Sequence, residues 1–540
     1  MRPLLIVQIL AQVVISFSLC TSVSADQEPA AGWIADILLR NGTLHLGDGK
    51  PAHEGDIAIV GDRIVGVGNF KAGEVGRVID CTGKVISPGF IDLHNHSDDP
   101  MIDQLTRAVT NFVTQGCTTV VTGNCGLGPW NVGKFYHDID TLGAGVNIAH
   151  LLPHGELRRE VMQSENREPT PRELQRLKEL TRRAMEDGAW GMSTGLVYEP
   201  SSYAKIDELV ELTRIVGRHG GIYASHIRNE NVRLLEAVEE ALEIGLRANT
   251  PVHVSHFKCM GTASWGLVRK AAEMIEKRRA AGERITADQY PYTASSTTLE
   301  ATVIPDWAFA GGWDALLARF DSDAEWPKVR EAMAAKLATL EGGQLLQIAS
   351  HAPQPTWAGR RLAEIAKELQ IDPIDLVVKM TRDGGAMVVN HSMNEDDVRY
   401  VMQLPWVATA SDGHAFVPDG SVPHPRNYGT FPRKIGHYAC REKVVTVEQA
   451  IRSSTGLPAD IVGLKDRGYL RVGYKADIVV WDSRSIIDTA TFAHPHSYSA
   501  GVEHVLVNGK PALVDGKATG ALAGRALRRP KHDKSGSPGK

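Results

Sequence analysis

From Trp33 to Val85 the chain alternates apolar and polar residues between glycine turns. The stretch "ADILLRNGTLHLGDGKPAHEGDIAIVGDRIVGVG" sets Asn-Gly and Asp-Gly pairs between short apolar runs, which predicts antiparallel strands over 33–85. The same texture returns across 465–520, in "YKADIVVWDSRSIIDTATF" and "GVEHVLVNGKPALVDGK". Both ends are therefore expected to build one small β-sandwich domain. Between them, from 86 to 464, the pattern changes. Short β-branched runs such as "TTVVTGN", "GIYASH", "TPVHVSH", "RITADQY" and "WVATASD" alternate with amphipathic segments such as "PRELQRLKELTRRAMEDG" and "NVRLLEAVEEALEIGLRAN". Strand and helix in alternation over this length predict an α/β fold, a (β/α)8 TIM-like barrel. The stretch 297–347 fits the repeat poorly and reads as an insertion at one mouth of the barrel.

In such a fold the chemistry gathers where strands end. The predicted strands end at His94 and His96 in "IDLHNH", Cys125 in "VVTGNCG", His226 in "YASH", His256 in "VHVSH" and Asp412 in "ATASD". Strand side chains alternate faces, so His94 and His96 point the same way, as two ligands of one metal must. One buried histidine alone is more often a hydrogen-bonded core residue, and one buried cysteine an inert apolar one. Six such residues at five strand ends point instead to a metal centre. Imidazole, thiolate and carboxylate together suit zinc. No Cys-x-x-Cys pair occurs, so the site reads as catalytic, a hydrolytic zinc centre, rather than as a structural zinc knot.

Composition narrows the partners. The 540 residues are 43% hydrophobic and 23% charged with a net charge of −5, ordinary for a globular protein, and this favours a small-molecule substrate over nucleic acid or an anionic membrane. The only basic block lies near the end, and 525–540 is expected to be a disordered tail. The start, "MRPLLIVQILAQVVISFSLCTSVSA", has a positive residue, an apolar run and a Val23-Ser24-Ala25 ending, the pattern of a cleaved secretory signal over 1–25. Leu19 is too large for lipoprotein processing at Cys20. An exported chain without a membrane span is expected, its oligomeric state undetermined. Cys81, Cys117, Cys125, Cys259 and Cys440 then remain, few, odd in number and scattered, which excludes a disulfide framework.

The motifs "PGFIDLHNH", "TQGCTTVVTGNCG", "GMSTGLVYEP", "SHIRNE", "VSHFK", "YPYTASST", "SDG" and "HPRNYGTFPR" follow one another between about Ile34 and Lys517. In that order they resemble the N-acyl-D-amino-acid deacylases, or D-aminoacylases, of the metal-dependent amidohydrolase superfamily. The resemblance implies a distorted (β/α)8 barrel with a β-sandwich from both termini. It implies that Cys125, His226 and His256 hold one zinc tightly, that His94 and His96 form a second, weaker site near Asp412, and that Asp412 is the catalytic acid–base. No lysine lies in "GAWGMSTGLVYEP", so the resemblance gives Cys125 the bridging place that a carboxylated lysine fills in other amidohydrolases. One or two zinc ions remain open.

For the substrate carboxylate the resemblance points to Lys258, Tyr292, Ser296 and Arg426, with Tyr290 the competitor of Tyr292. Members selective for acidic D-amino acids carry an arginine shortly after this "YPY" segment. Here none occurs between Arg284 and Arg319, and Leu299, Val303, Ile304 and Trp307 suggest an apolar or neutral side-chain pocket, with Glu300 repelling an acidic one. Set against the resemblance, the loop "GHAFVPDGSVPHPR" reads as longer than usual in the family. The expected reaction is zinc-dependent hydrolysis of N-acyl-D-amino acids. Cleavage of dipeptides ending in a D-residue, opening of a cyclic amide, and a non-catalytic metal-stabilised binding protein are the rival readings.

Overall fold

The computed structural model describes residues 34–71 and 73–530; the expected signal segment, 1–25, lies outside the described residues. No helix among the described residues is long and apolar enough to cross a membrane.

Nine strands from both ends of the chain form one sheet. Ala35–Leu44 pairs antiparallel with His53–Val60, and Val85–Pro88 pairs antiparallel with Ile478–Trp481 in the register Pro88 to Ile478 and Val85 to Trp481. The run Ile478–Trp481 is apolar at every position because it is buried on both faces. Ile478 and Val480 join a core with Leu39, Ile57 and Ile86. Val479 and Trp481 face the other way, into the largest core of the molecule.

The middle of the chain supplies parallel strands in two sheets. Phe90–Asp92, Cys117–Thr122 and Asn147–His150 are the first three. The second sheet runs from Leu152–Pro153 through Gly191–Gly195, Ile222–His226, Val252–Val254 and Ile285–Gln289 to Val407–Thr409. One pair of sheet edges is joined at Leu151, where Asn147–His150 runs on into Leu152–Pro153 and Trp190 N donates to His150 O at 3.0 Å. At the other pair, Asp412 N donates to His94 O and His96 N to Gly413 O, both at 2.8 Å. Amphipathic helices cover the strands. Pro171–Glu186 starts from a reciprocal cap, Thr170 with Glu173, and buries Leu177, Leu180 and Ala184.

Between Gln289 and Val407 the chain makes a long excursion. Ser295–Thr298, Met387–Asn390 and Leu346–Ser350 form a three-stranded antiparallel sheet, and the segment 297–347 is only its first half. This excursion has a core of its own, including Leu299, Val303, Ile304, Leu316, Met333 and Val388, with Trp307 packed against it. The four residues expected to line an apolar pocket are therefore spent on that core. Glu300 is likewise turned away from the site and accepts a hydrogen bond from Thr381 Oγ1 at 3.3 Å. A short helix, Leu299–Val303, sets Leu299 and Val303 on the face toward the local core, and the extended Ile304 and Pro305 after it carry Ile304 and Trp307 onto the same core.

Residues 525–530 are not part of a free tail. Ile148 N donates to Arg525 O at 2.9 Å, Leu527 N to Ile148 O at 2.7 Å, and Trp190 Nε1 to Leu527 O at 2.6 Å. Backbone pairing with the third parallel strand outweighs the basic, low-hydrophobicity composition; residues 531–540 lie outside the described residues.

The terminal sheet is fastened to the parallel strands by a buried polar knot. Arg467 and Asp477 form an ion pair, Asn147 Nδ2 donates to Asp477 Oδ2 at 3.1 Å, and Asn508 N donates to Asp477 Oδ1 at 2.6 Å. Asp477→Ala leaves Arg467 buried without its partner, so it is expected to destabilise the chain by about 3–5 kcal/mol, read as a lower urea midpoint.

Candidate metal centre

The ligand-type side chains lie just beyond the C-terminal ends of their strands. His94 and His96 follow Asp92, Cys125 sits in the turn after Thr122, His226 ends its strand, His256 follows Val254, and Asp412 follows Thr409. Cys125 Sγ is 3.2 Å from His94 Nε2, 3.6 Å from His226 Nδ1 and 3.7 Å from His256 Nε2. His94 Nε2 and His96 Nε2 are 3.3 Å apart, and Asp412 Oδ1 is 3.1 Å from His96 Nε2 and 3.4 Å from His94 Nε2. Three overlapping groups can each hold a metal ion: His94 with His96 and Cys125, Cys125 with His226 and His256, and His94 with His256 and Asp412. Cys125 belongs to two of them, so its sulfur lies between the two sets.

The backbone is bent to aim these atoms. Cys125, His256 and Asp412 all have left-handed backbone, with φ of 53°, 36° and 52°. For residues other than glycine this costs on the order of 1–3 kcal/mol each and persists only where packing imposes it. Gly126 N donates to Ser193 Oγ at 2.9 Å, drawing the Cys125 turn across the strand Gly191–Gly195. A Cβ at Gly195 would collide with the Cys125 carbonyl oxygen, so glycine there lets the turn lie close.

Three buried carboxylates that the sequence reading passed over orient the rings. Asp288 Oδ2 lies 3.3 Å from His94 Nδ1 and 2.8 Å from His253 Nε2, while its Oδ1 accepts from His256 N at 2.7 Å. Glu230 Oε1 accepts from Lys258 Nζ at 2.6 Å and lies 2.8 Å from His256 Nδ1. Asp92 accepts from Ser411 N at 2.8 Å, from Ser411 Oγ at 2.5 Å and from Asn95 Nδ2 at 2.8 Å, tying the first strand to the residue before Asp412. Burial pushes the Asp92 carboxyl up to about 6. Each stands near a strand end or, for Glu230, four residues after a ligand in "SHIRNE", which was the signal available.

These contacts also test whether the residues fit a metal. With Nδ1 of His94 and His256 turned to carboxylates, their Nε2 atoms face the sulfur, an arrangement that places donor atoms rather than hydrogen-bond pairs at the centre. Burial alone would push the Cys125 thiol up, but the charge on His94 and hydrogen bonds from His226, His256 and His94 hold it well below its ordinary value. Burial raises Asp412 in the same way, and Arg426, His94 and His256 reverse it, keeping the carboxylate ionised. An anionic sulfur and carboxylate among imidazoles fit a divalent cation.

The carboxylate-binding candidates separate. Arg426 is buried, donating from Nη1 to Asp412 Oδ2 at 2.7 Å and from Nη2 to Ser296 O at 3.1 Å. Two of its five N–H donors are thereby used. Lys258 is buried and turned to Glu230. Ser296 contributes its carbonyl, while its hydroxyl makes no hydrogen bond among the described residues. Tyr292 lies apart from Arg426 and Lys258. Its ring lies under Arg433 at 4.8 Å and its buried hydroxyl has no partner, whereas Tyr290 lies between Arg426 at 5.0 Å and Lys258 at 5.7 Å. Motif register could not decide between two tyrosines two residues apart, and the irregular backbone after Gln289 did. Tyr198 was missed altogether: its ring lies 5.1 Å from that of His226, and its hydroxyl pairs with Thr297 Oγ1 at 3.1 Å. His424 is a brace, with Nε2 at 2.9 Å from Ala294 O and Nδ1 accepting from Arg426 N at 3.0 Å.

Asp288→Asn and Glu230→Gln leave every ligand atom in place but loosen its aim. Each is expected to weaken divalent-metal affinity about 10–100-fold, measured by competition with a chromogenic chelator.

Residues 77–513 match the amidohydrolase family. The chain is 34% identical over 517 residues to a D-aminoacylase of Alcaligenes xylosoxydans xylosoxydans, an alignment covering 92% of this chain and 98% of that protein. A solved D-aminoacylase structure matches with a TM-score of 0.80 at 34% identity, covering 92% of this chain and 100% of the other. An N-acyl-D-glutamate deacylase from Bordetella bronchiseptica, solved with zinc and a phosphonate inhibitor that mimics the tetrahedral intermediate, matches with a TM-score of 0.78 at 31% identity, over 92% and 100% of the two chains. Five ligand-type side chains at strand ends, an aspartate paired with an arginine, and similarity along nearly the whole chain lead to one assignment: this protein belongs to the N-acyl-D-amino-acid deacylase family of metal-dependent amidohydrolases.

Proposed function

We propose that the protein is a zinc-dependent hydrolase of N-acyl-D-amino acids, releasing a carboxylate and a free D-amino acid. The observation that carries it is Asp412, held by Arg426 on one oxygen while the other faces the His94–His96–Cys125 group. The parallel strands are read as one (β/α)8 barrel, supported by the bonds that join both pairs of sheet edges, with the terminal strands as its sandwich domain. Cys125, His226 and His256 would hold the tighter zinc, and His94, His96 and Asp412 the weaker; the donor set and the zinc complex of the Bordetella relative support this metal. When bound, zinc acts as a Lewis acid on the amide carbonyl and makes water a stronger acid.

The chain's own groups do the rest. Arg426 fixes Asp412 Oδ2, which leaves Oδ1 to take the proton of the attacking water and return it to the leaving nitrogen. Arg426 has further N–H donors for the substrate's α-carboxylate, and the Tyr290 hydroxyl, which donates only to the weak acceptor Met393 Sδ at 3.7 Å, can turn to it, while Lys258 is balanced by Glu230. Fixing carboxylate, amide and side chain at three points selects one stereoisomer. A neutral side chain is favoured because the cations of the excursion's first half are engaged elsewhere: Arg319 donates to Ala308 O and Ala310 O, Lys336 to Ile304 O, Arg330 pairs with Asp372 and Asp375, and Lys328 lies over the Trp307 ring. Export rests on the segment 1–25 and its secretory pattern.

The test is free-amine release from matched N-acetyl-D and N-acetyl-L forms of leucine, methionine, phenylalanine and glutamate by zinc-loaded protein. Hydrolysis confined to neutral D-compounds is expected; turnover of the L-forms, or none at all, overturns the reading. Asp412→Asn is expected to lower kcat about 10²–10⁴-fold with zinc content measured alongside. Tyr290→Phe is expected to lower kcat/KM about tenfold, the cost of a lost hydrogen bond to a charged group, and Tyr292→Phe to change it little.

A further inference from the structure

Beside the metal-type cluster, a groove of about 730 Å³ lies between the segment Asp99–Thr106, after the strand Phe90–Asp92, and Ala415–Asp419, after Val407–Thr409. We propose that this groove is an acyl-chain subsite, built for a long acyl group with an apolar body and preferring a positive over a negative far end. The proposal rests on the deacylase reading and extends it to the acyl half of the substrate.

Its position follows from Asp412. One carboxylate oxygen is held by Arg426 and the other faces His96, so the aspartate separates an amino-acid side from an acyl side. From His96 a file of rings leads outward: His414 at 5.5 Å and then Phe416 at a further 6.1 Å, and Phe416 lines the groove. The floor is fixed rather than loose. Ala415 N donates to Ser97 Oγ at 2.8 Å and Phe416 N to Asn111 Oδ1 at 3.3 Å.

The chemistry of the walls sets the ligand. Pro100, Ile102, Leu105, Val417 and Pro418 make the surface mostly apolar, and Leu105 and Val417 are 79% and 49% exposed, apolar area that a bound chain would cover. The charges lining the groove are all negative: Asp99, Asp103 and Asp419. Asp103 accepts from Leu105 N and Asp419 lies 3.4 Å from His496 Nε2, but the Asp99 carboxylate has no hydrogen-bond or ion-pair partner among the described residues. An acetyl group would reach none of this.

Zinc-loaded protein is assayed on four D-leucine amides that differ only in the acyl group: acetyl, hexanoyl, 6-aminohexanoyl and 5-carboxypentanoyl. A fully buried methylene is worth a factor of about four, so partial cover of four methylenes predicts kcat/KM at least about tenfold higher for hexanoyl than for acetyl. The amino-ended chain is expected to exceed the carboxy-ended one about tenfold at low ionic strength, a ratio that salt compresses. Leu105→Ser should reduce the hexanoyl-to-acetyl ratio several-fold, and Asp99→Asn should narrow the amino-to-carboxy ratio. Both are ratios within one variant, so a general folding defect does not imitate them. Equal rates across chain lengths, or a preference for the carboxy-ended chain, overturn the subsite while leaving the deacylase reading intact. Failure to hydrolyse any of the four overturns both.

Discussion

A buried carboxylate survives only when its oxygens are answered by donors, and here that requirement sets the geometry of everything nearer the centre. Asp288 is answered by His94, His253 and the backbone of His256, and Glu230 by His256 and Lys258. In satisfying these acids the histidines surrender one ring nitrogen and present the other to Cys125. Asp92 does the same for the backbone, pulling Ser411, and with it Asp412, against the first strand. Strain in the left-handed backbone of Cys125, His256 and Asp412 is tolerable because these bonds and the surrounding packing hold each residue on several sides.

The charges of the site are balanced in pairs. Lys258 is matched by Glu230, Arg426 by Asp412, and the Cys125 sulfur by the imidazoles around it. Such pairing lets so many ionised groups share a buried space, because an uncompensated one would shift its protonation or unfold the site. It also redistributes roles. A lysine already committed to a glutamate orients His256 and contributes little free charge to a substrate, which moves the burden of carboxylate recognition toward Arg426 and Tyr290.

Around this centre the chain keeps its apolar residues in separate cores. The excursion between the last two parallel strands folds on its own core and reaches the site through the Ser296 carbonyl and the Thr297 hydroxyl, held by Arg426 and Tyr198. The site wall can thus be built from backbone and small polar groups while large apolar side chains face away. The terminal sheet keeps a core of its own on one face, while Val479 and Trp481 on the other join the largest core, and the Arg467–Asp477 knot and the strap around Leu527 add polar ties.

Local pattern determined what depends on local order. Alternation and glycine turns marked the terminal strands, helical periodicity marked Pro171–Glu186, and strand ends marked His94, His96, Cys125, His226, His256 and Asp412, because strand period and helix face are properties of neighbours along the chain. Tertiary structure decided what depends on distance in space. Leu299, Val303, Ile304 and Trp307 read as pocket residues until a core made with Leu316 and Met333 claimed them. Tyr290 and Tyr292 are equivalent in sequence and were told apart only by the cations around each ring. The segment 525–530 looked like a solvated tail because nothing in its composition shows the free edge of backbone at Ile148 that it pairs with. Asp288 carries no spacing that pairs it with His94, nor Glu230 any that pairs it with His256; only the convergence of strands far apart in the chain gives each carboxylate these partners and each imidazole its direction.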